Sequence, residues 1–159
     1  MHMPYGTDLQ SSASYRKIFR SVEKMIRAAT DNTISIGHVG GTSLAIPVGK
    51  GDIDVYVSYG NKKEMNELQK ILTQLFGKPA KITPDRVRFN VFLNGVEVEL
   101  QLTDKKKMAT AIALRDYLNA NPDEAKRYAK SIATLRKGFL VNMSKIKEDF
   151  AKKAIKNNV

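Results

Sequence analysis

The chain contains no cysteine and no tryptophan, and only two histidines, His2 and His38. Without cysteine there is no disulfide scaffold, no thiolate-held zinc or iron–sulfur cluster, and no cysteine nucleophile. Two histidines also exclude a multi-histidine metal centre. No apolar run approaches the ~20 residues that cross a bilayer. The N-terminus lacks the charged-then-apolar pattern of a signal peptide. A soluble, cytoplasmic protein with no membrane partner is expected. The 159 residues suffice for one domain with a real core, and 42% hydrophobic against 27% charged residues is a globular balance.

The basic charge is concentrated. Residues 1–104 hold 13 Lys/Arg and 11 Asp/Glu, a net of +2, whereas residues 105–159 hold 14 and 5, a net of +9. This divides the chain into a nearly neutral core over 10–104 and a basic helical subdomain over 105–159. RNA or another polyanion is the partner expected for the basic helices, although each lysine taken singly reads as ordinary solvated surface.

Apolar spacing predicts a helix over 11–30, with Ser11 or Ser12 as its cap, and another over 62–76 stopped by Gly77. Thr33 to Val39 and Asp52 to Ser58 read as strands. Arg86 to Leu93 and Val96 to Leu102 flank Asn94-Gly95, the strongest short hairpin signal. Helices are expected over roughly 105–120, 122–137 and 142–156, with Pro122 opening the second and Gly138 closing it. The last two strands are tied antiparallel, which excludes an all-parallel doubly wound sheet. The expected class is α/β (α+β): a small mixed sheet with helices packed on one side.

Alternation along a strand turns Ile53, Val55 and Val57 to the core and sends Asp52 and Asp54 together to the other face, with Cα atoms about 6.8 Å apart. Ionised carboxylates held so close repel, and are tolerated when water or a cation lies between them. Oxygen-only ligands of this kind suit Mg²⁺ or Mn²⁺. Counting outward from the hairpin turn pairs Leu93 with Val96, Asn90 with Glu99 and Arg88 with Gln101. If the apolar hairpin face shares the core, Glu99 joins Asp52 and Asp54, with Arg88 beside them. An isolated D-x-D is weak evidence, and an antiparallel sheet commonly has a solvated polar face. The upstream turn Gly40-Gly41-Thr42-Ser43 strengthens it. Glycines let backbone approach a phosphate, hydroxyls add donors, and a helix start offers free N–H groups. Lys50 could reach a phosphate, but the loop is no Walker motif, because Gly49-Lys50-Gly51 lacks the spacing and the following Ser/Thr.

These residues resemble the DNA polymerase β-type nucleotidyltransferase superfamily: a Gly-Gly turn, an acidic pair about ten residues later, and a third acid on a later strand. Within it the chain is most similar to the GrpB family. His38-Val39-Gly40-Gly41-Thr42-Ser43 and Leu114-Arg115-Asp116-Tyr117-Leu118-Asn119-Ala120-Asn121-Pro122 carry that likeness. Gly41 stands where the family usually has Ser. Asp52, Glu99 and Gln101 depart toward an active transferase, and Ile132 stands where a Lys is expected. The resemblance implies transfer of a nucleoside monophosphate from an NTP to an unidentified acceptor such as RNA or protein, with release of pyrophosphate. It implies Mg²⁺ or Mn²⁺ on Asp52, Asp54 and Glu99, with Glu99 as the alternative general base. Gly40, Gly41, Thr42, Ser43, Lys50, Arg88 and Arg115 are the implied nucleotide contacts. The competing expectations are a non-catalytic nucleotide- or RNA-binding module on the same fold, and an assembly or toxin–antitoxin partner.

Overall fold

The computed structural model describes residues 9–135 and 143–157. Gly138 and His2 lie outside them. Helix α1 (Ser12–Ala29) begins where Ser11 accepts a hydrogen bond from the Ser14 N–H. Strand β1 (Ile36–Val39) leads into a single 3₁₀ turn (Gly41–Ser43), and β2 (Ile53–Tyr59) follows. Helix α2 (Lys62–Phe76) is capped by the Asn61 side chain and ends at Gly77, whose φ of 90° continues no helix. Strands β3 (Lys81–Thr83), β4 (Arg86–Leu93) and β5 (Val96–Asp104) come next. Asp104 ends β5 and caps α3 (Lys105–Ala120) by accepting from the Lys107 N–H at 2.7 Å. Helices α4 (Pro122–Leu135) and α5 (Met143–Asn157) complete the described residues.

The strands form one sheet in the order β1-β2-β5-β4-β3. Only β2 and β5 run parallel; the other neighbours are antiparallel. The hairpin register is the one counted from Asn94-Gly95, down to Arg88 opposite Gln101. Both turn residues have positive φ, 52° and 77°, which is what a two-residue hairpin turn with native twist requires. Strand β3 is not legible in the sequence, because three residues with Pro79 before and Pro84 after carry no readable period.

The odd residues of β2 and the even residues of β5 bury one sheet face. Ile53, Val55, Val57, Val98, Leu100 and Leu102 meet Tyr15, Ile18, Val22 and Ile26 of α1, and Met65, Leu68 and Leu72 of α2. That is the single helical layer expected. The last third adds a second one against the opposite face. There Gly37 of β1 lies so near α3 that a Cβ would come within 3.0 Å of the Met108 methyl. Leu118, Tyr128, Ile132 and Phe150 gather with Leu44 into a separate apolar cluster. The Arg115 guanidinium donates to the His38 carbonyl at 3.1 Å, tying α3 to β1. Among the described residues the polar face is therefore roofed over β1 and β2 and open over β4 and β3.

Leu118 is 2% exposed in this second cluster. Leu118→Ala should lower unfolding stability by about 2–4 kcal/mol, the usual cost of a buried Leu truncation, measured by urea denaturation. A change below about 0.5 kcal/mol, the range of ordinary surface substitutions, would mean that the C-terminal helices are not docked as described.

Candidate active site

Parallel pairing of β2 with β5 sets Asp54 directly opposite Glu99. Asp52 precedes the first residue of β2 and shares the face of Asp54. Ligand oxygens of Asp52, Asp54 and Glu99 lie within 4.8 Å of one another. The three carboxylates floor a cleft of about 400 Å³. Its walls are the Gly41 and Val48–Lys50 loop on one side, Tyr56 and Gln101 on the sheet, and Tyr128, Ile132 and Lys147 of the roof.

The loop is held from beneath by a hydrogen-bonded chain. Thr42 donates to the Asp52 carbonyl at 3.0 Å, so its oxygen accepts from His38 Nε2, also at 3.0 Å. This fixes the proton on Nε2 of His38. The imidazole stacks on Phe19 of α1 at 5.2 Å between centroids. The Ser43 hydroxyl donates to the Gly40 carbonyl. Gly40 has φ 76°, and a Cβ there would strike the Asp54 carboxylate. A Cβ on Gly41 would strike the Val48 carbonyl, so the serine usual at this place in the family pattern does not fit the loop as this chain folds it.

Several of the expected contacts have partners within the fold. Thr42 is 2% exposed and its hydroxyl is committed at both ends. Ser43 is likewise bonded within its own turn. Both hydroxyls shape the loop. Arg115 pairs with Asp116 at 2.9 Å and with the His38 carbonyl, so it anchors a helix and does not line the cleft. Arg88 is near the carboxylates, 4.0 Å from Glu99, but it lines a different cleft across β5. Lys50 does line the central cleft. Lys147 was missed: nothing in a run of helical lysines singles out the one that faces inward. It stands across the cleft together with Ile132, which occupies the place where the resemblance expects a lysine.

The electrostatics reflect the crowding. Burial first, then Asp52 and Glu99, push the Asp54 carboxyl from 3.8 up to about 8, with Lys147 and Lys50 pulling it back. Burial, then Arg115 and Arg16, lower His38 from 6.5 to about 4. Tyr128 is pushed up to about 12 by burial and by Asp54.

These shifts set opposite pH dependences. Between pH 3.8 and about 8 the folded chain keeps a proton on Asp54 that the unfolded chain has lost, so stability falls as pH rises through that window. Between about 4 and 6.5 the unfolded chain protonates His38 and the folded chain does not, so stability rises with pH there. The two offset each other below 6.5, and Asp54 acts alone from 6.5 to about 8. In EDTA the melting temperature should therefore be nearly level between about pH 4 and 6.5 and then fall toward pH 8. Asp54→Asn should abolish that fall and melt higher at the alkaline end. An unchanged profile in the variant would show that the carboxylates do not crowd.

The family model of GrpB proteins matches residues 9–156. The UPF0157 protein VC_A0354 of Vibrio cholerae serotype O1 is 29% identical over 128 residues, 73% of this chain and 62% of that protein. The chain thus spans less than two thirds of that relative's length. Among solved structures, the conserved protein GrpB from Enterococcus faecalis superimposes with a TM-score of 0.70 at 16% identity, covering 98% of each chain. Cid1, described by its RNA terminal uridylyl transferase activity, superimposes with a TM-score of 0.54 at 10% identity over 79% of this chain and 38% of its own. At such identities the likeness is one of fold. The chain belongs to the GrpB family and has a nucleotidyltransferase-like fold.

Proposed function

We propose that the protein is a divalent-metal-dependent nucleotidyltransferase that moves a nucleoside monophosphate from an NTP to an acceptor hydroxyl and releases pyrophosphate. The convergence of Asp52, Asp54 and Glu99 within 4.8 Å carries this reading. The donor set fits a hard cation: it is all carboxylate oxygen, and the buried Asp54 loses its proton only against burial and two neighbouring negative charges. Asp52, Asp54 and Glu99 would hold Mg²⁺ or Mn²⁺. Bound there, the ion supplies charge neutralisation for the triphosphate and lowers the pKa of an acceptor hydroxyl.

The chain's own groups account for the rest. Gly41 and the Val48–Lys50 loop line the cleft beside the carboxylates and would present backbone to a phosphate. Lys50 and Lys147, on opposite walls, would balance the charge of the triphosphate and of departing pyrophosphate. The acceptor oxygen bonds to the α-phosphorus as the bond to the bridging oxygen breaks, and Glu99 takes the acceptor proton if it is not fully occupied as a ligand. Tyr56, half-buried on the sheet, would offer ring surface to the nucleotide. In this reading residues 10–104 are the catalytic unit, and 105–159 form a basic helical subdomain roofing it.

With an α-labelled NTP and Mg²⁺, wild type should transfer label. Asp54→Asn should abolish transfer, and Glu99→Gln should slow it by about 10²–10⁴, the usual loss on removing a general base. Transfer by Asp54→Asn at the wild-type rate would falsify the assignment. Thermal stabilisation by NTP without any metal requirement, and with no turnover, would instead favour a binding module on this fold.

A further inference from the structure

The polar face of β4 and β3 is open and cationic. Lys81 stands directly opposite Arg88, and Thr83 opposite Arg86, in the β3–β4 register. Like charges facing each other across antiparallel strands are unfavourable. Arg86, two residues from Arg88 on β4, adds to the repulsion. Little within the fold relieves it. Arg86 donates to the uncharged Gln101 at 3.3 Å. Arg88 meets Glu99 only at 4.0 Å, and its Nε is buried without a hydrogen-bond partner among the described residues. Lys81, Thr83, Arg86 and Arg88 surround a small cleft of about 70 Å³ whose inner wall is Glu99 and Gln101. Those two residues also wall the central cleft. The carboxylates are thus flanked by cations from two sides: Lys50 and Lys147 toward β1 and the roof, and the arginine pair toward the open sheet edge.

We propose that Lys81, Arg86 and Arg88 form an anion subsite that takes a phosphate group of the acceptor. This rests on the transferase reading above. The Gly40-Gly41 loop, Lys50 and Lys147 lie on the β1 side of the carboxylates and suit the triphosphate. A displacement at phosphorus puts attacking and leaving oxygens in line on opposite sides, so the acceptor approaches from the β4 side. A group arriving there meets two guanidiniums and an ammonium, the donor set for a phosphodiester or phosphomonoester. Among the described residues the roof does not cover this half of the sheet, so a strand or a smaller phosphorylated molecule can lie across β4 and β3 with its hydroxyl at Glu99. Polyanion recognition is thereby assigned to the sheet edge rather than to the C-terminal helices.

The subsite is testable without metal or NTP. Fluorescence anisotropy of a labelled short oligouridylate with a free terminal hydroxyl would be followed in EDTA at several salt concentrations. A parallel thermal-shift titration would use inorganic phosphate. The Lys81→Ala/Arg86→Ala variant should bind the oligonucleotide at least about tenfold more weakly, and the slope of log affinity against log salt should shrink by about 1.4, two single-strand phosphate contacts at about 0.7 each. The exposed pair Lys145→Ala/Lys156→Ala should bind as wild type does. Loss of the phosphate shift alone in the sheet variant would identify a small phosphorylated acceptor, and loss of both signals a strand. The proposal is overturned if wild type binds neither probe, or if the helix variant loses binding while the sheet variant keeps it. Melting curves of both variants exclude unfolding as the cause. Because none of these measurements needs turnover, failure of the subsite and failure of the transferase reading give different results.

Discussion

Like-charge repulsion among three acidic side chains is the constraint around which this molecule is arranged. Asp54 and Glu99 are forced opposite each other by a parallel pairing whose register is locked by Ile53, Val55, Val98 and Leu100 on the reverse face. Slipping that register by one residue would relieve the charges but would turn every apolar side chain out of the core. Burial of the core therefore holds the carboxylates together. The roof then worsens the repulsion by excluding water from Asp54, whose carboxyl is pushed up to about 8. A stable fold with no use for a cation would gain by replacing one of these acids.

The loop explains how the acidic pair is oriented. His38, Thr42 and the Asp52 carbonyl form a bonded series linking the end of β1 to the start of β2. The histidine is buried, stacked and neutral. Its role is to position the backbone under Asp52. The hydroxyls at 42 and 43 belong to this support. What the loop presents to the cleft is backbone and Lys50, with glycine at 40 and 41 because neither the Asp54 carboxylate nor the Val48 carbonyl leaves space for a side chain.

Local chemistry was legible in the sequence, and long-range packing was not. Asn94-Gly95 dictates a two-residue turn, and from that the whole β4–β5 register follows by counting. Alternation places Asp52 and Asp54 on one face, and the shared apolar face places Glu99 with them. The span of α2 follows from its apolar stripe and the stop at Gly77. Helical periodicity, however, states that a helix has a buried side without stating what covers it. The docking of α3 on β1 depends on Gly37, whose missing side chain leaves the space that Met108 fills, a complementarity invisible one segment at a time. The directions of Arg115 and Lys147 follow from that docking, so the sequence could neither remove the first from the cleft nor bring the second into it.

The departures from the family pattern make sense as one rearrangement. Ile132 places an apolar side chain on the cleft wall where a lysine is expected, next to Tyr128 and within the cluster that seats Phe150. Phe150 packs edge-on against Tyr128 at 5.2 Å. That contact fixes α5 against α4 and carries Lys147, three residues earlier and so on the same side of the helix, to the cleft. Lys147 thus supplies on α5 a cation that pulls the raised Asp54 carboxyl back down. On this account Lys147 and Ile132 are coupled through the packing of Phe150. The positive wall of the cleft depends on the apolar contacts of the C-terminal cluster as much as on the lysine itself.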